Sequence, residues 1–224
     1  MAVNPVAAGS RWSREQLQAA LRLYLVTDQA SLLGRTLSDV VLAAVHGGVS
    51  CVQLREKHSS SRDFLAQAQL LMEVLRPLNI PLVINDRIDI ALACGAQGVH
   101  LGQSDLPVQK ARALLPPDVF IGWSVETLEH VAQSAALPVD YLGVSPVFAT
   151  PTKTDTAKPW GLEGLQGIRA QSRLPLVAIG GIHPDNAAAV CAAGADSLAV
   201  VSAICSATDP RASAQALRRL MDDY

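Results

Sequence analysis

The sequence predicts a single α/β domain, a (β/α)8 TIM barrel whose active site lies at the C-terminal ends of its strands. Eight short apolar, β-branched runs alternate with amphipathic helical patterns. Three junctions, "HGGVSCVQL", "CGAQGVHLGQ" and "AAGADSLAVVS", repeat one device: a helix stops on glycine and a strand starts about three residues later. A chain of 224 residues holds eight such units with little room for insertions. The runner-up, an open doubly wound sheet, would be favoured by GxGxxG after the first strand, and "YLVTDQASLLG" lacks it.

A tail and leading helix are expected over residues 1–20, and the barrel over 21–224. "LYLVT" (23–27) opens the barrel, a helix over 36–46 follows, and "CVQL" (51–54) is the second strand. A helix over 61–75 leads to "PLVI" (81–84), then "GVHL" (98–101) and "VFIGW" (119–123). Helices over 125–136, 162–171 and 211–221 carry apolar residues at helical spacing, with "YLGVS" (141–145), "PLVAIG" (175–180) and "SLAVV" (197–201) as the last three strands. Parallel strands in a barrel send the residues after each C-terminal end to one mouth.

The formal net charge of −2 gives no global attraction to nucleic acid or to anionic membranes, so any basic site is local and function belongs in a pocket. Four cysteines, Cys51, Cys94, Cys191 and Cys205, lie far apart in apolar runs without CxxC spacing. They read as reduced, buried thiols, which favours the cytoplasm. The start has no long apolar stretch after a basic patch, and no run of roughly 18 apolar residues occurs elsewhere. An unprocessed chain with a mobile N-terminal tail and no membrane span is expected. The five histidines, His46, His58, His100, His130 and His183, lack metal spacing, so no zinc site is expected and packing or surface roles are assigned to them.

In "CVQLREK", alternation puts Gln53, Arg55 and Lys57 on one face with Cys51, and Val52, Leu54 and Glu56 on the other. Two cations two residues apart, at about 6.6 Å, repel by roughly 2.5 kcal/mol at an effective dielectric of about 20. That face expects an anion. After "PLVI" come Asn85 and Asp86, and after "GVHL" comes "GQSD", ending in Asp105. Two carboxylates beside a cationic strand end suit Mg²⁺, which commonly takes one or two carboxylates plus phosphate oxygens and water. Against this, Asp105 reads equally as an N-cap before "LPVQKARALL", and Asp86 as a cap or a partner of Arg87.

Ser124 follows "FIGW"; taken alone it reads as the N-cap of the helix near "VETLEH", with Thr127 competing. The polar loop "FATPTKTDTAKPWG" holds Thr150, Thr152 and Lys153; most such loops are solvated connectors, but this one is long for a β/α connection, as lids and binding segments are, and a lid would bring Lys153 to an anion. Trp160 reads as an aromatic anchor on the following helix. Gly180–Gly181 end the seventh strand and Val201–Ser202 the eighth, the two loops that often build a phosphate site in barrels. Cys51 has no activating base and is read as core.

This ordered set, "LYLVTD", "VQLREK", "VINDR", "GVHLGQSD", "GWS", "TPTK", "AIGGI" and "VVSAI", resembles the thiamine-phosphate synthase family over nearly the whole folded chain. The resemblance implies a barrel that condenses 4-amino-2-methyl-5-(diphosphooxymethyl)pyrimidine with 4-methyl-5-(2-phosphooxyethyl)thiazole, giving thiamine phosphate and pyrophosphate with Mg²⁺, its partners being small-molecule substrates and neither nucleic acid nor membrane. By matching motif it implies a pyrimidine-diphosphate site at Gln53, Leu54, Arg55, Glu56, Lys57, Asn85, Ser124 and Lys153. Asp86 and Asp105 resemble the metal ligands. Thr150, Pro151, Thr152, Gly181, Val201 and Ser202 resemble the thiazole-phosphate site. Catalytic roles fall to Arg55, Lys57, Lys153 and Ser124. The sequence departs at Glu126, where many members carry histidine, so no histidine role transfers there. A related thiazole tautomerase has no pyrophosphate to expel; the cationic cluster and the absence of histidine at 126 argue against it. A sugar-phosphate aldolase or epimerase would need an inner lysine or acid/base carboxylates, and Lys57 is its only inner lysine candidate. A non-catalytic binder of thiamine precursors would hold both ligands and turn over neither. The oligomeric state is not readable here; a homo-oligomer is compatible.

Overall fold

The computed structural model describes residues 11–150 and 158–222. Eight parallel strands close into a barrel in sequence order, β1 (Leu23–Val26), β2 (Cys51–Leu54), β3 (Leu82–Asn85), β4 (Gly98–Leu101), β5 (Phe120–Val125), β6 (Tyr141–Val144), β7 (Leu176–Ile179) and β8 (Ser197–Val200). β8 pairs back onto β1 with Leu23 opposite Leu198, so the sheet has no free edge and the open-sheet alternative is excluded. Around it run α1 (Arg14–Leu21), α2 (Leu37–His46), α3 (Ser61–Leu75), α4 (Ile88–Cys94), α5 (Val108–Leu114), α6 (Leu128–Ser134), α7 (Gly161–Gln171), α8 (Pro184–Ala192), α9 (Ser202–Cys205) and α10 (Pro210–Asp222).

Helix starts follow cap chemistry. Thr36 caps α2 through the Asp39 amide and Ser60 caps α3 through the Asp63 amide. The helix expected over 125–136 is shorter than that: Ser124 and Val125 remain in β5, and Thr127 caps α6 by accepting from the His130 amide. The four thiols are unpaired; Cys51, Cys191 and Cys205 are buried and Cys94 is half-buried. No helix among the described residues is long and apolar enough to cross a membrane.

Alternation along the strands separates two cores. Leu23, Leu25, Val52, Leu54, Ile84, Val99, Leu101, Ile121, Leu142 and Leu198 face outward into the layer between barrel and helices. Tyr24, Val26, Cys51, Val83, Phe120, Tyr141, Val177 and Ala199 fill the interior. At the N-terminal end α1 closes this interior: Leu17 and Leu21 join the inner cluster, and Trp12 meets Phe120 edge to face at 5.2 Å. The leading segment thus packs as the barrel's floor. Room for the inner aromatics comes from absent side chains. A Cβ on Gly122 would lie 2.0 Å from Tyr141 Cζ, and one on Gly143 would lie 2.7 Å from His100 Cε1.

Candidate functional site

At the C-terminal mouth a cavity of about 630 Å³ is lined from every strand end. Gln53, Arg55 and Lys57 all line it, whereas Leu54 and Glu56 do not. Leu54 is buried in the outer layer, and Glu56 accepts from Ser59 Oγ at 2.7 Å. β2 itself stops at Leu54, so the two cations stand on the loop beyond it; Thr27 Oγ1 accepts from the Arg55 amide at 3.2 Å.

Opposite stand the two carboxylates. Lys57 Nζ lies 2.6 Å from Asp86 Oδ2, so Asp86 pairs with Lys57, while Arg87 pairs with Asp89. Asp86 holds a left-handed backbone, φ 62°, a conformation that Asp tolerates better than most residues, and its amide donates to the His100 carbonyl at 2.9 Å. Asp105 does not cap α5, whose N-cap is Pro107. Its Oδ2 instead accepts from the Gly102 amide at 2.6 Å, which tightens the turn and aims the carboxylate at the cavity. Arg55, in contrast to Lys57, has no carboxylate partner among the described residues.

Burial raises the Asp105 pKa above the usual carboxylate value; the Gly102 hydrogen bond opposes that, the Asp86 charge reinforces it, and Lys57 opposes it. Its ionised form is less favourable in the fold than in the unfolded chain, a cost to stability that is present at neutral pH and disappears as pH falls below the unfolded-state value. In metal-free buffer at pH 7, Asp105→Asn is therefore expected to melt above wild type by roughly 1–3 °C. Millimolar Mg²⁺ is expected to raise the wild-type melting temperature and leave the variant's unchanged; a variant that melts lower in metal-free buffer contradicts the assignment.

Asn85 and Ser124 both line the cavity from strand positions, so Ser124 is no helix cap. Its Oγ lies 2.9 Å from His100 Nε2. Thr150 lines the cavity from the loop after β6; Pro151, Thr152 and Lys153 lie outside the described residues. Trp160 occupies the N-cap position of α7, its amide donating to the Pro146 carbonyl at 2.9 Å. Gly181, Val201 and Ser202 line the opposite wall. Gly181, at φ 64°, passes so close to the loop that a Cβ would sit 2.8 Å from the Ala149 carbonyl oxygen. Glu126 lines the cavity as well.

Tyr24, His100 and Tyr141 are among the lining residues that the sequence did not single out for the site. Strand alternation carried the signal. In "GVHL", His100 shares a face with Gly98 opposite Val99 and Leu101, and those two apolar residues take the outer layer.

A family model described as thiamine monophosphate synthase matches residues 23–204. A curated relative from Albidiferax ferrireducens, named thiamine-phosphate synthase, is 72% identical over 203 residues, covering 91% of this chain and 93% of that one. A relative of the same name from Vibrio parahaemolyticus is 51% identical over 203 residues, covering 91% and 99%. The solved thiamine phosphate pyrophosphorylase from Pyrococcus furiosus superposes with a TM-score of 0.85 at 35% identity, covering 92% of this chain and 98% of that one.

Proposed function

As the chain belongs to the thiamine monophosphate synthase family, we propose that its cavity joins 4-amino-2-methyl-5-(diphosphooxymethyl)pyrimidine to 4-methyl-5-(2-phosphooxyethyl)thiazole. It is a transferase of thiamine biosynthesis, and the products are thiamine phosphate and pyrophosphate. The observation that carries the assignment of roles is the Arg55 guanidinium, which lines the cavity without a carboxylate partner among the described residues, beside the Lys57–Asp86 pair.

The pyrimidine's methylene–oxygen bond breaks with its electron pair leaving on the pyrophosphate oxygen, and the thiazole nitrogen's lone pair then forms the new C–N bond. Negative charge grows on the leaving group, so cations aimed there stabilise the transition state more than the ground state. Arg55 and Lys57 supply that charge from the described residues, with Lys153 assigned the same role by its motif. Asn85 and Ser124 orient the pyrimidine, with Gln53 beside them on the inner face of β2. Leu54 and Glu56 are left with backbone contacts only, because their side chains do not line the cavity. Thr150, Gly181, Val201 and Ser202 hold the thiazole phosphate, a role that Pro151 and Thr152 share by motif alone, making the second step local.

Asp86 and Asp105 fit Mg²⁺: they are two facing carboxylates, one of them raised in pKa partly by the other's charge, and a hard divalent cation relieves that repulsion. When bound there, Mg²⁺ supplies positive charge to the departing pyrophosphate oxygens. Four unpaired thiols support a reducing compartment, the cytoplasm.

The test is purified protein with both substrates, with and without Mg²⁺, followed for both products. Thiamine phosphate and pyrophosphate are expected in equal amounts, and only with metal. Binding of both substrates without turnover would leave a binder in place of an enzyme.

A further inference from the structure

Five polar side chains pointing into the barrel form one continuous chain of hydrogen bonds beneath the cavity. Gln53 Nε2 donates to the Tyr24 hydroxyl at 2.9 Å, and the Tyr24 and Tyr141 hydroxyls lie 3.1 Å apart. The Tyr141 hydroxyl lies 2.9 Å from His100 Nδ1, and His100 Nε2 lies 2.9 Å from Ser124 Oγ. Burial pushes both phenols well above the usual tyrosine pKa, so each keeps its proton and remains a donor.

The chain has a direction, set at the amide end. An amide nitrogen only donates, so the Tyr24 oxygen accepts from Gln53 and its proton goes on to Tyr141. Cys51 also contacts Tyr24, but a thiol is a weak acceptor and does not compete with a phenol oxygen. Tyr141 in turn donates to His100 Nδ1, which leaves the ring proton on Nε2, where it is donated to Ser124 Oγ. Ser124 then has its own hydroxyl proton left for the cavity. Its backbone is held too, since Gln103 Nε2 donates to the Ser124 carbonyl at 2.5 Å. The bare Cα of Gly143 leaves the space that His100 occupies.

We infer that His100 is a positioning residue that presents Ser124 to the cavity as a hydrogen-bond donor, so that Ser124 recognises an acceptor, a ring nitrogen of the aminopyrimidine, and not its amino group. This rests on the reading of the cavity as a pyrimidine site. The chain makes the polarity of Ser124 a property of the barrel interior, fixed before any substrate arrives, and a preset donor costs no reorganisation on binding.

Equilibrium binding of the pyrimidine diphosphate, without thiazole, to wild type, Ser124→Ala, His100→Asn, His100→Gln and the His100→Asn/Ser124→Ala double variant tests this. One neutral hydrogen bond corresponds to a loss of about 3- to 10-fold in affinity. Ser124→Ala and His100→Asn are each expected to show that loss, and the double variant no more than either alone. His100→Gln, whose amide nitrogen reaches the place of Nε2, is expected to stay within about 2-fold of wild type. The KM for thiazole phosphate stays unchanged throughout.

Two analogues read the polarity directly. Removing the ring nitrogen acceptor weakens binding to wild type but not to Ser124→Ala, whereas removing the amino group weakens both equally. Additive losses in the double variant, or the reverse analogue pattern, overturn the inference while leaving the synthase activity standing. A wild-type protein that forms no thiamine phosphate overturns the function and the inference together. If His100→Asn fails to fold, the analogue pair on wild type and Ser124→Ala still decides.

Discussion

Arg55→Ala is expected to lower kcat by about 10²- to 10³-fold, the range for removing one preorganised donor from a developing anion, with the KM for thiazole phosphate little changed. Lys57 already faces Asp86 at 2.6 Å, so part of its charge is neutralised before substrate arrives. Arg55 lines the same cavity with no carboxylate partner among the described residues. Its planar fork offers a diphosphate two parallel hydrogen bonds, which lysine cannot reproduce. Arg55→Lys is therefore expected to recover only part of the loss. Single-turnover rates at saturating substrate separate this from weakened binding. A fall in kcat/KM carried wholly by KM would make Arg55 an anchor of the ground state and remove it from the chemistry.

Gly122→Ala carries the largest expected effect on stability. Gly122 on β5 is paired in register with Tyr141 on β6, and the added methyl would lie 2.0–2.4 Å from the Cζ, Oη and Cε1 atoms of that ring. The ring is wholly buried and is bonded to Tyr24 and His100, so it has nowhere to turn. Overpacking of this kind costs about 1–3 kcal/mol, a fall in Tm of roughly 2–12 °C for a chain of this size. Gly167→Ala is the contrast. It lies on α7 with no atom within 4 Å of an added Cβ, and it is expected to gain about 0.4–1 kcal/mol through the unfolded state. Thermal melts of the two variants should move in opposite directions, and a neutral Gly122→Ala would mean that the inner ring packing is loose.

What the sequence made legible follows from short-range rules. The helix at Ser61–Leu75 was readable to its ends because a serine cap precedes an apolar stripe. Alternation placed Gln53, Arg55 and Lys57 on the cavity side, and it holds for cavity lining although the strand ends before Arg55. The same rule turned the side chains of Leu54 and Glu56 away from the cavity, and neither lines it. Less visible was anything made by residues far apart in the chain. His100, Tyr141 and Tyr24 meet only because three strands curve around one axis, so their partners are separated by 41 and 117 positions. Ser124 was ambiguous for a related reason: a serine just before a helical pattern looks like a cap until a neighbouring strand extends the sheet past it.

The packing of Trp12, Leu17 and Leu21 against Phe120 has a kinetic meaning. A tube shut at one end has a single doorway, so both reactants arrive and both products depart along the same route. Gln53, Ser124, Gly181 and Ser202 all line the cavity at that one mouth. With the pyrimidine on Gln53 and Ser124 and the thiazole phosphate at Gly181 and Ser202, as proposed above, initial-rate kinetics are expected to show an ordered pattern, pyrimidine first and thiazole second.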